Sequence, residues 1–302
     1  MRFAEVVATS EQVAATSSRG AKRDLLADLL RRCDPAEVPA VVSFLVGEPR
    51  QGRIGVGWRT LTAVVAEPAP TPTLDVGDVD RTLEELAALQ GPGSGGRRHE
   101  LLAALLGRAT GAEASFLARL VGGELRQGAS EGVMLDAVAV AAEVPAALVR
   151  RAAMLGGRID EVAGLAMRGG AATLSEVGLQ LGRPWQPVLA STAPSVTDAI
   201  GALGSASVEW KLDGVRIQAH RDGDDVRLYT RNLNDVTDRL GAVGDLLRAL
   251  PVSSIVLDGE LLGIGEDGTP DAFQDSASSF GRRSDGAAAG LSIAFFDIVH
   301  LD

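Results

Sequence analysis

The stretch Glu209-Trp210-Lys211-Leu212-Asp213-Gly214-Val215-Arg216-Ile217-Gln218-Ala219-His220-Arg221 decides how the second part of this 302-residue chain is read. From Gly214 to Arg221, apolar Val215, Ile217 and Ala219 alternate with Arg216, Gln218 and His220, the pattern of a β-strand with one apolar face. Asp222-Gly223-Asp224 is a hairpin turn signal, and Val226, Leu228 and Thr230 continue on a return strand. Further on, Asp235–Leu250 reads as a helix, and Ile255–Ile264 and Leu291–Val299 read as two more strands, rich in branched and aromatic residues. The expectation for residues 196–302 is an α+β domain with a mainly antiparallel sheet. It stops at Asp302, directly after a strand, as an incomplete domain would.

Upstream, to about Leu181, the pattern is helix after helix. Leu25, Leu26, Leu29 and Leu30 keep one helical face. Asp34-Pro35-Ala36-Glu37 reads as an N-cap, a first-turn proline and a capping-box acid ahead of Val38, Val41, Val42 and Leu45. Helical patterns follow at Val79–Leu89, Glu100–Leu106, Ala112–Val121, Glu131–Ala142, Pro145–Leu155 and Ile159–Ala166, separated by stretches such as Gly91-Pro92-Gly93-Ser94-Gly95-Gly96. Phe44-Leu45-Val46-Gly47-Glu48-Pro49-Arg50-Gln51-Gly52 is echoed by Leu120-Val121-Gly122-Gly123-Glu124-Leu125-Arg126-Gln127-Gly128, as two related halves would produce. Arg183-Pro184-Trp185-Gln186-Pro187 disfavours helix. The domain reading is therefore a helical domain over 1–182, a linker over 183–195 and the α+β domain over 196–302.

Composition narrows the function classes. Hydrophobic residues make up 46% of the chain and charged residues 23%, a globular balance. No apolar run reaches the roughly 18 residues of a membrane span, so no membrane partner is expected. The single cysteine, Cys33, excludes an internal disulfide or a cysteine-rich metal site and makes a reducing cytoplasm the expected compartment. His99, His220 and His300 are too scattered for a histidine metal site. A net charge of -11 argues against a uniformly basic nucleic-acid binder but leaves room for a local positive surface. Of 29 basic residues only Lys22 and Lys211 are lysine. Base composition of the genome accounts for most of the arginine. A lysine kept in such a chain fits a position where arginine, always protonated, cannot act as an amine nucleophile.

Lys211 stands beside a carboxylate, Asp213, a glycine that allows close backbone approach, Gly214, and a phosphate-compatible Arg216. Cationic neighbours would lower its pKa and favour the neutral nucleophile; exposed turns of the same composition are also common. Val256-Leu257-Asp258-Gly259-Glu260-Leu261 sets Asp258 and Glu260 on one strand face. That placement is costly unless they bind a metal, a ribose or a base, or form a salt-bridged pair at a sheet edge. Tyr229-Thr230-Arg231-Asn232 ends the hairpin with a cation and an amide suited to phosphate or ribose. Phe296 beside Phe295 reads from periodicity as a core aromatic.

In order, Glu209–Arg216, Thr230-Arg231-Asn232, Val256–Leu261 and Ala294-Phe295-Phe296-Asp297-Ile298 resemble motifs I, Ia, III and IIIa of ATP-dependent DNA ligases, members of the covalent nucleotidyltransferase superfamily. Pro187-Val188-Leu189-Ala190 resembles the segment that leads into the ligase catalytic domain. The helical part, above all Gly123–Gly128, resembles the DNA-binding domain of archaeal, actinobacterial and eukaryotic-type ligases. The resemblance implies ATP and Mg2+ as cofactors and a lysyl-AMP formed on Lys211. It also implies Glu209 on the adenine amino group, Phe296 stacked on adenine, Arg216 and Arg231 on ribose and phosphate, and Glu260 on ribose or the metal. Asp213 and Asp258 match acidic motif positions. Nicked duplex DNA is the implied partner, bound without sequence preference by phosphate contacts at Arg126, Gly128 and the N-terminus of the following helix, with Arg50 as the matching contact. Both arginines also fit as solvated loop residues.

Ligases of this type resemble monomers that encircle DNA, here at the cytoplasmic nucleoid. They continue with motifs IV and V and an OB-fold domain carrying motif VI. With lysine only at positions 22 and 211 no motif V lysine is present, so this polypeptide is not expected to complete ligation alone. RNA ligases and capping enzymes share the lysine motif, and a DNA-binding module with an inactive transferase domain is the non-enzyme alternative.

Overall fold

The chain divides into two units, Met1–Gly178 and Leu179–Asp302. The structure, a computed structural model, describes residues 1–52, 54–57, 60, 61, 64, 66–125, 127–186, 192–263 and 291–302.

The first unit is helical. Its elements are α1 (Phe3–Ala15), α2 (Arg19–Arg32), α3 (Val38–Val46), α4 (Val76–Ala88), α5 (Ser94–Arg108), α6 (Gly111–Gly122), α7 (Glu131–Ala141), α8 (Ala146–Gly156) and α9 (Ile159–Ser175). Local chemistry sets the ends. Ser18 caps α2 by accepting from the Ala21 N–H, and Thr110 and Glu113 form a reciprocal capping box on α6. Phe3, Phe44 and Phe116 are fully buried, and Phe3 meets the other two edge-on at centroid distances of 5.9 and 5.6 Å. These contacts join α1, α3 and α6 in the core, each ring contributing about 2–3 kcal/mol of burial.

One boundary differs from the sequence expectation. Asp34 closes a single turn, accepting from Ala36 N at 2.9 Å while its carbonyl accepts from Glu37 N. The α-helix starts afterwards, at Val38, with Pro39 in its first turn. Glu37 makes no capping box. Its carboxylate instead accepts two hydrogen bonds from the Met1 α-amino group, at 2.8 and 2.9 Å.

The second unit is a four-stranded antiparallel sheet with order β2-β1-β3-β4, formed by β1 (Val215–Asp222), β2 (Asp225–Thr230), β3 (Ser254–Gly263) and β4 (Leu291–Leu301). Two α-helices are described with it, α10 (Val196–Leu203) and α11 (Gly241–Arg248). The helix expected over 235–250 shortens to a 3-10 turn at Thr237–Arg239 and α11. Asp235 turns its carboxylate onto the Thr237 N–H and hydroxyl, and that local turn competes with helix. Val243 and Leu247 of α11 pack on Ile217, Ala219, Leu228 and Leu257. The opposite face of β1 is not the solvated face that alternation suggests: Gln218 and His220 are both about 1% exposed. Residues 182–185 are part of this unit, because the Tyr229 hydroxyl donates to the Gly182 carbonyl and Gln218 bonds both backbone groups of Trp185. Among the described residues no helix is long and apolar enough to cross a membrane.

Candidate functional site

Two glycines let the strands close in on the nucleophile segment. At Gly214 the Leu261 carbonyl oxygen occupies the space a Cβ would need. The glycine therefore permits the close approach expected from the sequence. Its N–H donates to Glu260 Oε1 at 3.0 Å. Gly259, between the two acidic residues, would press a Cβ to 2.6 Å from the Ala294 carbonyl oxygen. Antiparallel register sets Arg216 opposite Glu260 and Gln218 opposite Asp258. Arg216 forks onto Asp258, its Nε donating to Oδ1 at 3.0 Å and its Nη2 to Oδ2. This pair, with Asp258 only 3% exposed, answers the cost of the buried carboxylate. The Asp258 hydrogen bond holds the Arg216 pKa above its usual value. Burial raises the Glu260 pKa, against the Gly214 N–H and the charges of Arg216 and Lys211.

Beyond β2 the chain turns through Arg231 and Asn232 with Leu233 at φ +60°, leaving both polar side chains exposed. Phe296, on β4, is 43% exposed rather than core. The result is a cleft of about 930 Å³ lined by Glu209, Lys211, Asp213, Arg216, Arg231, Glu260 and Phe296, together with Trp210, Leu212, Gly214, Val215, Thr230 and Asn232. All the expected nucleotide-site residues thus converge, except Asp258, which stands behind Arg216. Lys211 is 87% exposed and its ion-pair partner is Asp213, at 3.5 Å. Asp213 is the carboxylate that the sequence sets beside it, and Arg216 and Arg231 are the cations that line the same cleft. Glu209 accepts from the Ser207 hydroxyl at 2.8 Å. Among the described residues no three or more His, Cys, Asp or Glu side chains are grouped as a metal cage. Glu260 still offers what Mg2+ accepts, a half-buried carboxylate of hard oxygen donors facing a substrate-sized cleft.

The sequence reading missed what lies along the same sheet face. His220 stacks edge-on against Tyr229 at 5.5 Å, and burial lowers its pKa to about 4. Trp185, whose backbone bonds the Gln218 side chain on that face, is 9% exposed.

In the helical unit the echoed segments share geometry. Helices α3 and α6 both end on a left-handed glycine, Gly47 and Gly123, and the following Glu48 and Glu124 amides bond back to Ser43 and Arg119. Gly52 and Gly128 both carry positive φ, +65° and +68°. Arg50 is engaged rather than free: Nε and Nη2 grip Asp80 at 2.7 and 2.6 Å, raising its pKa. Gln51 bonds the same Asp80. Arg126 lies outside the described residues, as does the Pro187–Ala190 segment.

Comparison with known proteins agrees with these two halves. The family description "ATP dependent DNA ligase domain" matches residues 187–302 and "DNA ligase N terminus" matches 63–139. A probable DNA ligase of Pseudarthrobacter chlorophenolicus is 51% identical over all of this chain and 59% of its own length. One from Rhodococcus jostii is 48% identical over all of this chain and 60% of its own. A solved mycobacterial DNA ligase D complexed with ATP and MES is 29% identical, covering 31% of this chain and 29% of that one at TM-score 0.23. The chain spans about 60% of the length of the curated relatives it matches. Two ligase-specific matches in order and near 50% identity along every residue mean that this chain belongs to the ATP-dependent DNA ligase family.

Proposed function

We propose that this chain supplies the DNA-gripping and lysine-adenylating parts of an ATP-dependent DNA ligase that seals nicks in duplex DNA. The observation that carries the reading is the convergence of Glu209, Lys211, Arg216, Arg231, Glu260 and Phe296 on one cleft. Phe296 offers a ring face for adenine and Glu209 an acceptor for its amino group. Arg216 is oriented by Asp258 and Arg231 is exposed, which suits them to hold ribose and phosphate oxygens. The Lys211 amine, its proton given up to solvent, attacks the α-phosphorus of ATP, forming the P–N bond as the bond to the departing pyrophosphate breaks. A 5'-phosphate oxygen of the nick then displaces the lysine and takes the AMP. The 3'-hydroxyl finally attacks that 5'-phosphorus and releases AMP. Glu260 would hold Mg2+, which when bound neutralises the triphosphate. Each step is a transfer at phosphorus, where positioning and charge stabilisation dominate.

The helical unit is assigned to the duplex. Phosphate contacts fall at Arg126, Gly128 and the N-terminus of α7, with Arg50, braced by Asp80, as the matching contact of the other half. The DNA-ligase match over this unit favours nicked DNA over RNA ends. The enzyme is assigned as a monomer acting at the nucleoid in the cytoplasm.

Incubation with α-labelled ATP and Mg2+, followed by denaturing electrophoresis, tests the centre of the proposal. Label should stay on the wild-type protein and fall at least a thousandfold in Lys211→Ala. An equally labelled variant would remove Lys211 from its role.

A further inference from the structure

Lys22 and Lys211 are the two lysines among 29 basic residues, and nucleophilic chemistry accounts for only the second. Lys22, on α2, reaches the turn between α6 and α7. Its Nζ donates to the Gln127 carbonyl at 2.9 Å. A Cβ at Gly128 would lie 2.5 Å from that Nζ. Gln127 itself is 5% exposed, its amide donating to the Leu45 carbonyl and its Oε1 accepting from the Ser10 hydroxyl. One turn is thus held from α1, α2 and α3 together. The echoed turn lacks this clamp: Gly52 has a similar φ, but nothing lies within 4 Å of its Cβ position. Both glycines answer to backbone angle, and at Gly128 alone an ammonium packs on the open side of the turn.

We propose that Lys22 is a positioning residue that fixes the shape of the turn Gln127-Gly128-Ala129-Ser130 through which the helical unit grips a DNA phosphate. The inference rests on the reading that this turn contacts DNA. It also explains why lysine is kept here. A compact ammonium fits between the Gln127 carbonyl and Gly128, whereas a planar, five-donor guanidinium needs more width than the glycine leaves. Replacing Lys22 by Arg therefore preserves charge and loses fit.

The test measures nicked-duplex affinity for Lys22→Arg and Lys22→Met, with amide exchange at residues 127–131 and the thermal midpoint measured on the free proteins. Arg126→Ala serves as the probe of the turn itself. Both Lys22 variants should exchange faster at the turn and bind about tenfold more weakly, at an unchanged midpoint. Wild-type affinity in Lys22→Arg would make Lys22 a plain surface charge and overturn the proposal. Wild-type affinity in both Lys22 variants, with Arg126→Ala weakened, would also overturn it while leaving the turn on DNA. Wild-type affinity in all three would remove the turn from the DNA surface, and the proposal with it.

Discussion

The two units treat apolar surface in opposite ways. In the helical unit Phe3, Phe44, Phe116 and a large set of leucines are fully buried. The large hydrophobic side chains that stand exposed among the described residues, from Val196 and Trp210 to Ile298 and Leu301, all belong to the sheet unit. One unit closes on itself; the other buries one sheet face under α11 and keeps an open cleft and apolar side chains on β4 and α10. The closed core fits the work proposed for the helical unit, and the open cleft fits the work proposed for the sheet unit. A non-specific grip on a phosphate backbone needs a stiff body with a few well-held turns. A nucleotide site needs an accessible nucleophile and a ring face that its substrate can cover.

The largest expected effect is on core packing. Phe44→Ala should destabilise the helical unit by about 3–5 kcal/mol, because a fully buried ring leaves a cavity among α1, α3 and α6. Ile298→Ala, on β4 at 60% exposure, should cost less than about 1 kcal/mol. Denaturant unfolding followed by circular dichroism and by tryptophan emission reads both. Similar costs at the two sites would break the contrast.

Next in size is a pH effect confined to the sheet unit. The buried His220 has its pKa lowered from 6.5 to about 4, so it stays neutral in the folded state. Between those values the unfolded chain binds more protons than the native one, and stability falls as pH drops. The full loss by pH 4 is about 3 kcal/mol for a shift of this size. His220→Gln should flatten the slope for the sheet transition across that range. A slope unchanged by the substitution would place the acid sensitivity elsewhere.

Legibility in the sequence follows the same division. Apolar spacing marked one face of α2 and placed α4 and α6 to α8 to within a few residues, since a helix with one buried stripe writes its own period; α9 starts at Ile159 as expected but runs past Ala166 to Ser175. The start of α3 was misplaced because Asp34 satisfies a local turn as readily as a helix, and Glu37 finds a distant partner in the Met1 amino group. In the sheet unit, Gly214 and the strand order of motifs were readable from Lys-Xaa-Asp-Gly and the alternation around it. Alternation could not reveal that the polar face of β1 is itself buried. Gln218 looks the same in sequence whether it meets water or the Trp185 backbone. The pairing of Arg216 with Asp258 depends on the register of strands some forty residues apart, which no local pattern carries.

The smallest expected effect sharpens the contrast with matched caps. Thr110 caps α6 and Ser195 caps α10 through the same hydroxyl contacts, with the Thr110 N–H donating to Glu113 in addition. Each hydroxyl accepts from the N–H three residues on and bonds that residue's carboxylate. The helices differ in what lies behind the cap. Residues Phe116, Leu117 and Leu120 of α6 are in the core, and Glu113 is itself fully buried. No residue of α10 is buried. Losing the cap of α6 therefore loosens a helix whose packing belongs to the whole unit. Thr110→Ala should lower global stability by about 1 kcal/mol, with Thr110→Ser near wild type. Ser195→Ala should leave the global midpoint in place and only speed amide exchange in the first turn of α10, because little else is tied to that helix. Equal shifts of the midpoint would mean that α10 is held by the rest of its unit as firmly as α6 is by the helical core.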